Sequence, residues 1–180
     1  MATDDRVAFY LRHRTLIEAW AALREQASTE LEEALIRAVG IVRQRPATPE
    51  IIEDDLGPFP VYGIDLEMQD TEPGKVLVAL GWTRGELLSP TGASWPYMGV
   101  KIPNATKRDA LYIKVRDLLR DAARERRWSQ SEAGWVWWDY VRLEADETDL
   151  DDYAIRAVEA LVRAWAAMRS VTTSSRTDLR

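Results

Sequence analysis

The chain has 180 residues, of which 46% are hydrophobic and 30% charged, with a formal net charge of −6 at pH 7. These values predict one soluble globular domain, and the negative charge disfavours nucleic acid as a partner because it repels phosphates. The absence of cysteine excludes disulfides, thiolate metal sites and a cysteine nucleophile. The single histidine, His13, leaves histidine-based catalysis and multi-histidine metal sites almost without support.

The first ten residues carry Asp4, Asp5 and Arg6 where a signal peptide needs an apolar core. No run of about 18 apolar residues follows anywhere in the chain. These features predict a cytoplasmic protein without a membrane span.

Helical spacing of apolar residues predicts a helical lead-in over residues 4–45, with one stripe in 4–27 and a second in 30–44. Thr29 and Glu32 have the spacing of a capping box, so the lead-in is either one long helix or two hinged helices. The apolar positions of the two stripes include Leu16, Trp20, Leu23, Leu31, Leu35 and Val39.

The acidic, proline-containing stretch 50–60 is predicted to be a connector, and residues 170–180 a disordered tail. Between them, hydrophobic patterns predict strands over 61–68, 75–82 and 95–102, a helix over 107–127, a strand over 135–143 and a helix over 149–169. The order α(α)βββαβα predicts one α+β domain over residues 1–169. Its sheet should be mainly antiparallel and four-stranded, with helices on one face and the other face partly open.

Two carboxylates lie two residues apart in the first predicted strand. Asp65 and Glu67 therefore share a face, and Lys101 and Asp139 take comparable positions in later strands. Carboxylates with a lysine suit a Mg²⁺-dependent nuclease, because the metal prefers oxygen ligands and the lysine stabilises phosphate charge. No acidic-x-Lys triplet of the nuclease pattern is present, and a solvated polar sheet face is the more ordinary interpretation.

Eight tryptophans are several times the ordinary number for a chain of this length. Strict alternation predicts Trp135 and Trp137 on one face of their strand and Trp138 and Tyr140 on the other. Large aromatics mostly fill cores, yet an exposed subset would form a binding hot spot. The candidate binding residues are Trp95, Tyr97, Trp128, Trp135, Trp137 and Trp138, with Arg124 and Arg127 as flanking cations.

The segments YMGVKI at 97–102 and WVWWDYVRL at 135–143, each followed by a helix, carry a family resemblance. Over roughly residues 60–168 the chain resembles bacterial nuclease-like proteins that are associated with restriction and phage defence. Those proteins share a paired-helix lead-in and a tryptophan-rich strand before the last helix. Because the catalytic triplet of that superfamily is missing, the resemblance implies an accessory or recognition module rather than an active nuclease.

These patterns favour a non-enzymatic binding protein of a bacterial defence or toxin-immunity type, which recognises a protein partner through an aromatic sheet face and needs no cofactor. One alternative is a divergent nuclease that uses Mg²⁺ with Asp65, Glu67 and Lys101. Another is a structural protein that forms homodimers or larger assemblies through residues 7–42. In that case Leu16→Asp or Leu35→Asp should make it monomeric.

Overall fold

The computed structural model describes residues 4–56, 59–68, 71–89, 95–131, 133–144 and 149–177. These residues form an α+β fold with four helices and one six-stranded antiparallel sheet, which confirms the predicted fold class. The elements are α1 (Asp5–Arg43), β1 (Ile52–Leu56), β2 (Phe59–Asp65), β3 (Leu77–Gly81), β4 (Tyr97–Thr106), α2 (Ala110–Leu118), α3 (Arg120–Glu125), β5 (Ser129–Gln130), β6 (Ala133–Tyr140) and α4 (Leu150–Thr177).

The helical lead-in is one continuous helix, α1. Asp4 caps its start by accepting a hydrogen bond of 2.8 Å from the backbone N–H of Arg6. The hydroxyl of Thr29 donates back to the carbonyl of Glu25 (3.0 Å), so it does not cap a second helix. The question that the capping-box spacing left open is therefore settled in favour of a single helix.

The sheet has six strands in the order β1-β2-β3-β4-β6-β5, so the predicted count of four strands was wrong. The predicted connector contains β1, which pairs along its whole length with β2. The short β5, in a stretch between the predicted helix over 107–127 and the predicted strand over 135–143, pairs with β6 at the opposite edge. Both missed strands are edge strands, whose polar and short sequences do not show the alternation of a half-buried strand.

The main core lies between one face of the sheet and the helices. The second half of α1 contributes buried apolar residues, as do α4 and the pair α2 and α3. The sheet contributes the residues that alternate toward the helices, among them Tyr62, Ile64, Val78, Leu80 and Val100. This arrangement confirms that helices cover one face of the sheet.

Helices α1 and α4 run parallel to one another. Arg37 of α1 bonds to Asp151 at the start of α4 (2.7 Å). Arg45, just past the end of α1, bonds to Glu159, about two turns further along α4. Helix α4 continues to Thr177, into the stretch for which a disordered tail was predicted. Within the described residues, every helix is either too short or too polar to span a bilayer.

Candidate functional site

The face of the sheet that the helices leave uncovered is strongly curved. Lys101 on β4 places its Nζ 3.6 Å from Oδ2 of Asp54 on β1, although two strands lie between them. In a flat sheet these strands would be roughly 14 Å apart, beyond the combined reach of the two side chains. The sheet therefore curls toward its uncovered side, which becomes a concave face.

Small residues line the middle of this concave face. Gly63, Ala79 and Gly99 are directly paired neighbours on β2, β3 and β4. Their lack of bulk leaves room for Val61, Leu77 and Ala79 itself to form a second, small buried cluster, against which Trp135 packs. The curl of the sheet thus buries apolar surface on both of its sides.

A β-bulge in β6 decides which tryptophans reach the concave face. Val100 pairs with Trp137 and the next residue, Lys101, pairs with Trp135, so Val136 is an extra residue in β6. The alternation shifts at this point, which means that the predicted pairing of Trp135 with Trp137 on one face was wrong. Trp137 turns toward the helices, is only 7% exposed, and donates its indole N–H to the carbonyl of Arg116 (3.2 Å).

As a result of the bulge, four aromatic side chains gather at one end of the concave face. We call Tyr97, Trp135, Trp138 and Tyr140 the aromatic cleft. The ring of Tyr97 meets Trp135 edge to face with centroids 5.0 Å apart and Trp138 at 6.3 Å, and Trp138 meets Tyr140 at 5.1 Å. All four residues are half-buried, and together with Ser131 they line a cavity of about 210 Å³.

Beside the aromatic cleft, the concave face carries a charged side chain that is nearly buried. Lys101 is 8% exposed, and besides its contact with Asp54 its ammonium lies 5.9 Å from the centre of the Trp135 ring. The Asp54 carboxylate neutralises Lys101, so this ion pair adds no net charge beside the aromatic cleft. Burial raises the pKa of the Tyr97 hydroxyl, and the nearby Tyr140 adds to the effect, so at neutral pH this group is an uncharged hydrogen-bond donor.

The acidic residues predicted for a metal site are held by different partners. Asp65 shares a cross-strand row with Lys101 but lies two strands away, beyond Leu77, and its Oδ1 accepts from the N–H of Gly74 (2.9 Å). Glu67 lies past the end of β2, where it lines a groove with Asp65 and Glu72. Within the described residues, no three Asp, Glu or His side chains are grouped so that they could hold a metal ion.

Asp139 lies opposite Met98, a residue of the main core, and its carboxylate accepts from the neighbouring Tyr140 N–H. It therefore alternates away from Lys101 and the concave face. Among the residues proposed for an acidic site, Lys101 is the one that has a nearby carboxylate on this face, and that carboxylate belongs to Asp54.

The remaining aromatic and basic candidates lie outside the cleft. Trp95 contacts Tyr153 at the start of α4 (6.4 Å), and Trp128 packs against the main core. Arg124 and Arg127 are exposed at the end of α3. Arg127 adopts a left-handed conformation (φ 59°) that ends this helix before β5. The structure therefore brings together three of the eight predicted binding residues, Tyr97, Trp135 and Trp138.

Sequence reasoning missed two members of the site, Tyr140 and Asp54. Tyr140 was placed correctly beside Trp138 but was not included among the binding residues. Asp54 lay in the predicted connector, and its contact with Lys101 depends on the curl of the sheet, which no local pattern encodes. The bulge had one local signal: the run Trp135–Trp138 has no polar residue at any alternate position.

No protein-family model matches this chain, and no match was found among curated proteins or among solved structures. The resemblance to defence-associated nuclease-like proteins therefore stays a prediction from the sequence.

Proposed function

We propose that this protein is a non-enzymatic binding protein that holds an extended, proline-containing segment of a partner protein in the aromatic cleft. The observation that carries this proposal is the meeting of four half-exposed aromatic rings, from the paired strands β4 and β6, around one small cavity on the concave face. Half-exposed aromatics in a concave site are the usual anchors of a binding hot spot.

The size of the cavity favours a segment of a larger molecule over a free small ligand. Its volume of about 210 Å³ lies below the range of roughly 300–1,000 Å³ that is typical of small-molecule sites. One or two side chains of a peptide fill such a space, while the rest of the peptide lies along the strands.

The hydrogen-bond donors of the aromatic cleft favour a proline-containing ligand. Within the described residues, the hydroxyls of Tyr97 and Tyr140 and the indole N–H groups of Trp135 and Trp138 make no hydrogen bond. A polyproline-type segment offers flat rings that stack on aromatic faces and carbonyls that accept from these donors, and its stiffness reduces the entropy lost on binding.

The charge of the chain favours a basic partner. A net charge of −6 attracts a protein of opposite charge over long distances and speeds its encounter with the cleft. A small acidic protein that binds a basic one fits the proposed defence or toxin-immunity setting in the cytoplasm of a bacterium.

The test uses the full chain and an immobilised array of proline-containing decapeptides, with and without flanking lysines. Binding of a subset is expected, and the best peptide is then titrated in solution by tryptophan fluorescence. Trp138→Ala should weaken binding about 30-fold or more. Leu11→Ala, at an exposed site on α1 outside both the cleft and the apolar stripe of that helix, is the control and should leave the affinity unchanged.

Because Trp138 packs beside Gly99, its removal also affects folding, so Tyr97→Phe and Tyr140→Phe provide the second test. Each of them removes one hydroxyl and keeps the ring, and each should weaken the best peptide about fivefold or more. Equal affinities for the wild type and both phenylalanine variants would contradict the proposal. Failure of every peptide, or preference for single-stranded oligonucleotides that stack on the rings, would also reject it.

A further inference from the structure

The first half of α1 leaves the rest of the molecule. We call residues 5–27 the arm and the remainder the body. At the rise of an α-helix the arm is about 34 Å long. The arm carries seven of the exposed large apolar side chains of the described residues: Val7, Phe9, Tyr10, Leu11, Leu16, Trp20 and Leu23.

Most of these side chains continue the stripe that is buried in the body. Spacings of three, four and seven residues connect Phe9, Leu16, Trp20 and Leu23 on one side of the helix, and the same side reaches the buried Leu31. In the body this side lies in the main core and packs against α4. In the arm it is uncovered, and Trp20 is 64% exposed and Leu23 57% exposed.

The protein's own second long helix does not cover the arm. Helix α4 begins beside Arg37 and runs parallel to α1, so it leads away from the arm. The stripe therefore needs a surface from another molecule, since an apolar stripe of this length on a lone helix is unfavourable in water.

The charges along α1 indicate what that surface is. Residues 6–14 contain Arg6, Arg12 and Arg14 and no acidic residue. Residues 25–33 contain four glutamates and no basic residue. Where the arm joins the body, Glu30, Glu33, Asp149 and Asp151 also line a groove of about 400 Å³, together with Arg37 and Leu150.

We infer that the arm pairs in antiparallel orientation with the arm of a second copy of this chain, with the crossing point near Trp20. This register places Leu16 of each copy near Leu23 of the other. It also brings the basic residues 6–14 of each arm to the acidic residues 25–33 and the groove of its partner.

The flanks of the stripe agree with this orientation. In an antiparallel helix pair, residues on the same flank of the two helices face each other. Arg12 and Glu30 lie on the same flank of the stripe, as the helical repeat places them. A parallel pair would instead bring the basic residues 6–14 of the two copies together, and likewise their acidic residues 25–33, which is repulsive.

The first test measures the association of the full chain by sedimentation equilibrium. A dimer is expected, and Leu16→Glu combined with Leu23→Glu should raise its dissociation constant about 100-fold or more. Leu11→Glu is the matched control, because Leu11 is 63% exposed but lies on the opposite side of the arm. A monomeric wild type at about 100 µM overturns the inference, and so does an equal loss of association in the control.

The second test exchanges charges. R12E and E30K should each dimerise more weakly than the wild type, and a mixture of the two should restore the wild-type affinity as a heterodimer. In a parallel pair R12E would be no weaker than the wild type, because Glu30 of the partner would not face this position. That result, or a mixture no tighter than its components, would reject the antiparallel pairing.

The third test reads the orientation directly. The chain has no cysteine, so Gln26→Cys introduces a single labelling site on the exposed surface of the arm. In the antiparallel pair two spin labels at this position are separated by about 18 Å along the helix axes. Labels in contact, or a disulfide that forms readily between the two copies, would indicate a parallel pair and overturn the inference.

Discussion

The two halves of α1 carry the same apolar stripe, but only the second half is covered. Leu35 has no exposed surface, because it lies in the main core, in the half of α1 that packs against α4, whereas Leu16 is 48% exposed on the arm. Helical periodicity does not distinguish these two leucines, and under the homo-oligomer alternative both were expected to contact another subunit. The comparison teaches that periodicity identifies the apolar side of a helix but does not identify the surface that covers it.

The largest expected effect comes from substituting each leucine with aspartate. Leu35→Asp removes a fully buried side chain and leaves an unpaired charge in the core, so it should lower the free energy of unfolding by more than about 4 kcal/mol. Leu16→Asp should change the stability of the monomer by less than about 0.5 kcal/mol. Urea denaturation at low protein concentration, followed by circular dichroism, measures both values.

This pair of variants also corrects the interpretation of Leu35→Asp as a test of assembly. Loss of association in that variant would report unfolding of the body. If Leu16→Asp destabilised the dilute monomer as much as Leu35→Asp, the arm would have a partner within its own chain, and the comparison would fail.

Two glycines, Gly99 on β4 and Gly40 in α1, extend the comparison from the helix to the sheet. A Cβ atom at Gly99 would lie 2.0 Å from the carbonyl oxygen of Trp137, at the bulge, so the backbone of β4 or β6 must move. Gly99→Ala should therefore cost about 2–4 kcal/mol of stability and disturb the aromatic cleft.

The matched control is the same substitution at Gly40, which lies inside the covered half of α1. A Cβ atom at Gly40 has no neighbour within 4 Å, so Gly40→Ala should stabilise the helix by about 0.5–1 kcal/mol. In thermal denaturation, Gly99→Ala should lower the melting temperature and Gly40→Ala should raise it. A Gly99→Ala variant as stable as the wild type would mean that β4 and β6 do not approach as closely as described.

The smallest expected effect concerns the ion pair that links the end of α1 to α4. The hydrogen bond from Arg45 holds the pKa of the Glu159 carboxyl below its ordinary value of 4.5. The folded state therefore binds this proton less tightly than the unfolded state, so the stabilisation is present above pH 4.5 and is lost as the pH falls below it.

Because both side chains are partly exposed, the contribution should be less than about 1 kcal/mol. Arg45→Gln should lower the melting temperature slightly at pH 7 and by less at pH 3. A constant difference between variant and wild type across this range would contradict the role of the carboxylate.

Part of the fold was predictable because it follows from local patterns. The strands that contain Ile64, Val78 and Val100 are buried on the helix side and have strong β-forming sequences. The helices were predictable from the helical spacing of their apolar residues, although the single helix predicted over 107–127 is two helices, α2 and α3. Strand β1 was not, because its residues Glu53–Asp55 are acidic. Its backbone pairs with β2, and the carboxylates of Glu53 and Asp54 contact Arg43 at the end of α1 and Lys101 on β4.

The candidate site was predictable only in part, because its geometry depends on one extra residue. The tryptophan content of the fourth predicted strand indicated an aromatic surface. The bulge at Val136 then determined that Trp138 and Trp135 share the concave face while Trp137 is buried. A single-residue shift reverses every later assignment in a strand, so alternation alone fails wherever pairing is irregular.

The unbroken course of α1 has a consequence for valency. A helix of 39 residues is a stiff rod of about 58 Å, and it contains no proline that would kink it. Two copies joined through their arms would hold their aromatic clefts at a fixed spacing. A ligand with two recognition segments would then bind with increased avidity only if its linker matched that distance. The length of α1 would therefore determine which bivalent ligands bind tightly.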